Sequence, residues 1–157
     1  MQLKRRLGQF GTFWRLSPDD RAGLLAAWAL LTAVDALCRI GGARCCLHWL
    51  QRMTAGRSSA SPPGEEWVMR QAELVGRATR HTLRPTTCLI RALALWFWLT
   101  RRGVACEIVL GVQKTPGALE AHAWVEWQGK PLLEAADVRQ HYAAFDQPLS
   151  RISLSVS

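Results

Sequence analysis

Cys88 has the residue type and the setting that nucleophilic catalysis needs. A thiol attacks a carbonyl as the thiolate, and the positive end of a helix and a nearby imidazolium both favour that form. Cys88 follows Thr86 and Thr87, which can cap a helix, and it opens the apolar run CLIRALALWFWLTRR. We therefore expect Cys88 in the first turn of a buried helix, where its own N–H group is free to hold an oxyanion.

His122 is the candidate base for this thiol. It opens the predicted strand AHAWVEW, and Glu134 lies on the strand that follows. A Cys at a helix start, a His at a strand start and an acid on the next strand can converge on one point as nucleophile, base and orienting group. We do not expect catalysis from His48 on a basic helix, His81 in a loop or His141 in the tail.

The hairpin after His122 decides which acid can reach the imidazole. A three-residue loop pairs Glu126 with Lys130, a favourable cross-strand charge pair, and places Glu134 opposite His122. Asp137 then falls on the other face of the sheet. A two-residue loop would shift the register by one residue and put Glu134 on the wrong face. The sequence thus favours Glu134 over Asp137 as the third member of the site.

The remaining cysteines are interpreted as structural. Cys38 and Cys106 lie inside apolar runs, and Cys45 and Cys46 are adjacent, so we expect all four to be small buried side chains. Cys45, Cys46 and His48 are metal-ligand types, but no second pair follows at the spacing of a tetrahedral site. There is no GxxxxGK[ST] loop for phosphates. No metal and no cofactor are predicted.

The composition indicates one globular domain with a basic surface. Of the 157 residues 49% are hydrophobic and 20% are charged, which is too apolar for a disordered chain. We predict a single domain, 1–157, with a helical N-terminal region over 1–60 and the part that holds the candidate site over 61–157. The net charge of +8 favours acidic partners, which include peptides, proteins, anionic membranes and nucleic acids.

Helices are predicted before the candidate site and strands after Cys88. The first helix begins after a Ser17 cap and breaks at Gly41-Gly42, and a second covers Ala43–Met53. A third helix covers about Glu65–Arg80, and a fourth covers Cys88–Arg102 and stops at Gly103. The strands are Val104–Val112, Ala121–Trp127 and Lys130–Glu134, with a polar loop over Gln113–Glu120.

The sequence favours a cytoplasmic location. The basic start Met1–Arg6 is followed by Gly8–Trp14 and not by the apolar run of a secretory signal. Five irregularly spaced cysteines do not predict a disulfide framework, so we expect a reducing compartment. The apolar stretch Ala22–Val34 is shorter than the roughly 20 residues of a membrane span. We expect a buried helix there, and its docking on a membrane or a partner stays open.

The stretch from Cys88 to Glu134 resembles the transglutaminase-like core of the lasso peptide biosynthesis B protein, a leader peptidase. The motifs are a CL-x-R-A-L start, an R-R-G turn, G-V-Q-K and A-H-A-W-V-E, and the preceding helices are similar to the stand-alone form of that family. The resemblance implies an α+β fold with a papain/transglutaminase-like cysteine peptidase core, a helical N-terminal part and a small antiparallel sheet. It implies Cys88 as nucleophile, His122 as base and Glu134 as the acid, where the family more usually has Asp.

The resemblance also implies a substrate and partners. Enzymes of this family cut the leader from a ribosomally made precursor peptide, and an asparagine-synthetase-like cyclase then joins the freed amine to a carboxylate side chain. Only 87 residues precede Cys88, and they are predicted to be helical. We therefore expect the leader-binding module, the RiPP recognition element, on a separate protein.

Two other functions stay open from the residues. A transglutaminase or arylamine-transferase would form the same thioester and resolve it with an amine in place of water. A non-catalytic basic protein would bind nucleic acid or a membrane. The Lys and Arg residues are spread along the chain without aromatic residues interleaved on an exposed strand. That distribution predicts a surface for acidic partners and no nucleic-acid site.

Overall fold

The computed structural model describes residues 18–56, 63–82, 85–115 and 118–151, in which helices come first and a sheet follows. This is the predicted α+β class. The helices are α1 (Pro18–Thr54), α2 (Glu65–Thr79), α3 (Cys88–Thr100) and α4 (Val138–His141), and a 3₁₀ turn covers Leu149–Arg151. The strands are β1 (Glu107–Thr115), β2 (Ala118–Trp127), β3 (Lys130–Leu132) and β4 (Ala143–Ala144). The predicted Ser17 cap lies outside the described residues.

Helix α1 contains the break that its two adjacent glycines predict. Gly42 has φ 76° and ψ 164°, a conformation that is essentially restricted to glycine, and α1 kinks there. The side chains buried before the kink are Ala27, Leu31 and Val34, and those after it are Cys46, Leu47, Leu50 and Thr54. Asp20 forms an ion pair of 2.8 Å with Arg70 of α2. The two arms of α1 therefore pack on the rest of the protein through one face each.

Helix α3 lies at the centre of the hydrophobic core. Every residue from Ile90 to Leu99 is buried except Arg91. A helix that is apolar on all sides needs cover on all sides. Helices α1 and α2 supply it on one side, and strands β1 and β2 supply it on the other. Gly103 has φ 82° and ends the helix, as predicted.

The strands of the described residues form one antiparallel sheet in the order β3-β2-β1-β4. Strands β1 and β2 pair without interruption from Glu107 opposite Glu126 to Thr115 opposite Ala118. The prediction of a polar loop over Gln113–Glu120 is wrong, because polar side chains at the surface do not prevent the backbone groups of two strands from pairing. The sheet consequently extends well beyond the part that packs on α3.

Part of the solvent side of α1 is apolar, although charged side chains such as Arg39 and Arg44 are exposed there as well. Leu25, Leu37 and Ile40 are exposed, Ile40 to 88%. Within the described residues α1 is the one helix long and apolar enough to cross a membrane, with a mean hydropathy of 1.6 over an 18-residue window of which 17% is buried. The core helix of a soluble protein can have the same length and composition, so these two properties alone do not assign α1 to a membrane.

Candidate active site

Cys88 opens α3, as its setting in the sequence predicts. Thr87 caps the helix, and its side-chain oxygen accepts a hydrogen bond of 3.3 Å from the N–H of Ile90. The other N–H groups of the first turn have no partner within the helix and carry the positive end of its dipole. Cys88 is a free thiol, partly buried against the hydrophobic core. N–H groups in this position can hold the oxyanion that attack by the Cys88 sulfur would form.

The other cysteines differ from Cys88 in their surroundings. Cys46 and Cys106 are buried, and burial raises the pKa of each thiol to about 12. Cys38 is partly buried, and burial raises its pKa as well. The expectation of burial is wrong for Cys45, which is exposed. Among the residues that the structure describes, no group of three or more His, Cys, Asp or Glu side chains could hold a metal ion.

His122 lies on β2 directly opposite Gly111 of β1. The centroids of the Trp124 and Tyr142 rings lie 5.9 and 5.0 Å from the centroid of the imidazole. The absence of a side chain at Gly111 allows this packing, because a Cβ there would lie 2.8 Å from the Trp124 ring and 2.9 Å from the Tyr142 Cβ. The two aromatic rings therefore restrict the imidazole on one side of the sheet.

Glu126 and Arg139 anchor the segment that carries Tyr142. Glu126 is buried and accepts hydrogen bonds from Trp124 Nε1 at 2.8 Å and from two nitrogens of Arg139 at 2.7 and 2.8 Å. Burial raises the pKa of the Glu126 carboxyl, but the hydrogen bonds from Arg139 and Trp124 outweigh it and hold that pKa below its ordinary value. The carboxylate thus fixes helix α4 against the sheet beside the His122 ring.

Glu134 is the acid that lies beside His122. Its Oε1 is 3.3 Å from His122 Nε2. Because Nε2 faces the carboxylate, Nδ1 is the ring nitrogen left to exchange a proton with a thiol. Asp137, the alternative acid, has its Oδ2 3.3 Å from the Nε2 of His141. The structure thus pairs each acid with a different histidine.

The predicted hairpin register is wrong by one residue. The prediction paired Glu126 with Lys130 across a three-residue loop, whereas Lys130 pairs with Trp127 and the loop contains only Gln128 and Gly129. Both loop residues have positive φ, 51° and 74°, as in the type I′ turn whose twist suits a hairpin. A glutamine rarely takes positive φ, so its residue type disfavours the turn that the chain adopts.

Leu133 restores the contact that the shifted register would remove. A continuous β3 in this register would point Glu134 away from His122. Pairing ends at Leu132 instead, and Leu133 has φ 62°, so the chain turns and the Glu134 carboxylate comes back to the imidazole. The Leu133 side chain lies on Gly76 of α2, where a Cβ would be 2.9 Å from Leu133 Cδ2. A leucine in the left-handed region is a strained feature next to the candidate site.

Arg91 joins the site although its position in the sequence was not predicted to matter. It forms an ion pair with the Glu134 carboxylate. Cys88 lies three residues earlier on α3, and residues at that spacing are neighbours on a helix surface, with Cβ atoms roughly 5–6 Å apart. The signal that could have identified Arg91 is its charge, the only one from Cys88 to Thr100.

Arg91 and Glu134 connect the two ends of the candidate site. The connection runs from Cys88 along one turn of α3 to Arg91, through the ion pair to Glu134, and on to His122. Within the described part of the chain, no hydrogen bond joins the Cys88 thiol directly to the imidazole. The structure therefore brings His122 and Glu134 into contact and places Cys88 one helical turn from a residue that binds this pair.

The α+β fold agrees with the comparison against known families. The Transglutaminase-like superfamily matches residues 30–145, a range that begins inside α1 and includes Cys88, His122 and Glu134. The match covers more than half of the chain, and the chain therefore belongs to the transglutaminase-like superfamily. Members of this superfamily are usually enzymes, either cysteine peptidases or acyltransferases. No curated protein and no solved structure matches the chain.

Proposed function

We propose that this protein is a cysteine peptidase that removes the leader from a ribosomally made lasso precursor peptide. Its product is a core peptide with a free N-terminus, which a partner cyclase closes into a macrolactam. The observation that carries the proposal is the Glu134 carboxylate, which contacts His122 and also pairs with Arg91, one helical turn from Cys88, in a chain of the transglutaminase-like superfamily. The choice of a leader peptide as substrate rests on the resemblance of residues 88–134 to the lasso B protein family.

The first half of the proposed reaction transfers the leader to the enzyme. The Cys88 thiolate attacks the carbonyl carbon of the last leader residue, and N–H groups at the start of α3 stabilise the oxyanion. The protonated His122 gives the proton on Nδ1 to the leaving nitrogen as the peptide bond breaks. The core peptide departs with a free amine, and the leader remains as a thioester on Cys88.

The second half of the proposed reaction releases the leader. His122, now neutral, takes a proton from a water molecule that attacks the thioester carbonyl. The carbon–sulfur bond breaks, the leader leaves as a carboxylic acid, and Cys88 returns to the thiolate. Glu134 accepts a hydrogen bond from the Nε2–H group of His122 and keeps Nδ1 directed at the reacting atoms, while Arg91 keeps Glu134 in place.

The proposed function also assigns roles to the fold, the partner proteins and the cellular compartment. We assign α3 and the sheet the role of a papain-like core, with Cys88 on the helix and His122 on the strand. The partners are a separate RiPP recognition element that holds the leader and an asparagine-synthetase-like cyclase. The expected compartment is the cytoplasm, with attachment to a membrane as a further option for the exposed apolar side of α1.

The chemical form of the released leader tests the proposal. The purified protein is incubated with the precursor peptide, the recognition protein and a primary amine, and the fragments are weighed by mass spectrometry. We expect a leader that ends in a free carboxylic acid together with an unmodified core peptide. A leader that carries the amine as an amide would identify an acyltransferase instead, and an intact precursor would contradict the peptidase.

A further inference from the structure

Strand β2 has an open edge beside His122. Strand β3 covers only Val125–Trp127, and the chain leaves the sheet at Leu133. On the same side of β2, no strand in the described ranges pairs with Leu119–Ala121, and these residues are exposed. An uncovered strand edge presents unpaired N–H and C=O groups, to which an extended peptide can add.

The hairpin turn fixes which backbone groups face this edge. In a two-residue hairpin the residues that flank the loop exchange both backbone hydrogen bonds, so Trp127 directs its N–H and C=O at β3. This direction alternates along the strand, so Ala121 and Leu119 direct theirs at the open edge, whereas His122 directs its own at β1. Pro131 fits the assignment, because it has no N–H and takes a position that needs none.

The side chains at this edge leave space for a peptide. Ala121 has the shortest side chain that an L-residue can have, and it precedes His122 directly. Leu119 exposes 70% of its surface, which a side chain of a bound peptide could cover. A peptide paired with these two residues would continue along the edge to the level of the imidazole.

We propose that the substrate peptide binds in extended form as an additional strand on the β2 edge at Leu119–Ala121. This inference rests on the proposed function, because it assigns the edge to the substrate of that reaction. Backbone hydrogen bonds to Ala121 and Leu119 hold the peptide, and the next residues of the peptide reach His122 and Cys88. The ligand class is an extended polypeptide without proline at the positions that pair with the edge.

The first test replaces single backbone N–H groups of the peptide by N–CH₃. The probe is a fluorescent synthetic peptide that spans the leader–core junction of a lasso precursor, and its affinity for the Cys88→Ala protein is measured by anisotropy. Pairing along a strand engages every second residue. We expect affinity to fall about two- to tenfold at alternate positions and to stay unchanged between them. Losses without alternation, or no loss at any position, would overturn the proposal.

The second test changes the edge of the enzyme. Ala121→Pro removes the N–H that faces the edge and leaves the ladder to β1, since proline is tolerated at edge positions. Ala121→Val keeps the N–H and is the matched control. We expect KM of the proline variant to exceed KM of the valine variant by about two- to tenfold, with the same kcat in both. Equal KM values in both variants would contradict the proposal.

The two proposals fail in different ways. If the precursor peptide is not cleaved but binds with alternating sensitivity to N-methylation, the peptidase is wrong and the peptide edge is supported. If the peptide is cleaved without alternation, the peptidase stands and the edge is wrong. Should Ala121→Pro prevent folding, as thermal unfolding would show, the N-methyl series decides alone.

Discussion

At the scale of single residues, the position of one carboxylate organises the candidate site. The Oε1 atom of Glu134 contacts both His122 and Arg91. The side chains of Arg91 and Glu134 are 30% and 18% exposed, and ion pairs that water still reaches contribute little to stability. The ion pair between Arg91 and Glu134 therefore contributes mainly by orienting His122, because a carboxylate held by a second partner can hold an imidazole in one place.

The first prediction concerns the acid. Glu134→Gln removes the negative charge that stabilises the protonated His122, and the altered hydrogen bonding lets the ring turn. We expect kcat to fall by about 10- to 100-fold, measured as leader release from saturating precursor. Asp137→Asn is the control, because that carboxylate lies beside His141. The assignment fails if Asp137→Asn loses activity while Glu134→Gln stays near wild type.

The second prediction concerns the residue that holds the acid. Arg91→Met keeps the apolar stem and removes the ion pair with Glu134, so the carboxylate can move away from His122. We expect kcat to fall by about tenfold or more with KM unchanged, because Arg91 acts through Glu134 and not on the substrate. Arg91→Lys keeps the charge and should recover part of the rate. A rise in KM at unchanged kcat would instead make Arg91 a substrate-binding residue.

At the scale of elements, the turn after β3 is the part that positions Glu134. Leu133 takes φ 62° while its side chain lies on Gly76 of α2. Conformations of this kind persist only where surrounding contacts enforce them. The contact between α2 and the end of the hairpin is therefore part of what brings the carboxylate to His122, although α2 itself contributes no residue to the site.

The third prediction tests this contact from a distance. Gly76→Ala places a Cβ 2.9 Å from Leu133 Cδ2, and the leucine has to shift. We expect leader release to slow by about threefold to tenfold, because the shift of Leu133 would displace Glu134 by a fraction of an ångström. Gly23→Ala is the matched control, a helical glycine whose Cβ would meet only Leu74 at 3.3 Å. Equal rates in both variants would show that Leu133 does not position the acid.

The elements that could be predicted from the sequence are those determined by residues close together in the chain. Helix α3 with its Thr87 cap, the break in α1 and the end at Gly103 could be predicted, because capping residues, glycines and apolar runs act over a few residues. The hairpin register could not, because Gln128 and Leu133 both take positive φ against their residue types. Packing against α2 and the pairing of β2 with β3 enforce those conformations. A local sequence pattern does not predict such tertiary contacts.

The predicted contact between His122 and Glu134 is present, although it was expected from a hairpin register that the structure does not have. The three-residue loop would have brought the two residues together along a regular strand. The structure brings them together through a two-residue loop and a turn at Leu133, two deviations that cancel. Arg91 was missed for a different reason, since a single charge on an apolar helix has no partner until the fold supplies one.

At the scale of the whole molecule, the surface favours assembly with acidic or apolar partners. The chain has a net charge of +8, and α1 exposes Leu25, Leu37 and Ile40 along one side. Large contiguous patches of exposed apolar surface commonly mark an interaction site. A peptidase that receives its substrate from a separate recognition protein would need such a surface.

The fourth prediction is that the isolated protein cleaves the precursor slowly until the recognition protein is added. A tethered leader has an effective concentration of about a millimolar, which offsets weak binding of the free peptide. The rate with both proteins should fall as salt is raised from low to about 0.5 M, if the basic surface contributes to docking. The measurement is leader release with and without the recognition protein. Full activity of the protein alone on the complete precursor would count against this assembly.

The claim that Cys88 is the nucleophile is tested most directly by one measurement, leader release by the Cys88→Ala protein. Cys45→Ser, which changes an exposed thiol on α1, is the control. We predict that Cys88→Ala unfolds at the same temperature as wild type and releases the leader more slowly by on the order of 10⁴-fold or more, while Cys45→Ser keeps its rate. Near-normal leader release by folded Cys88→Ala protein would contradict the cysteine mechanism.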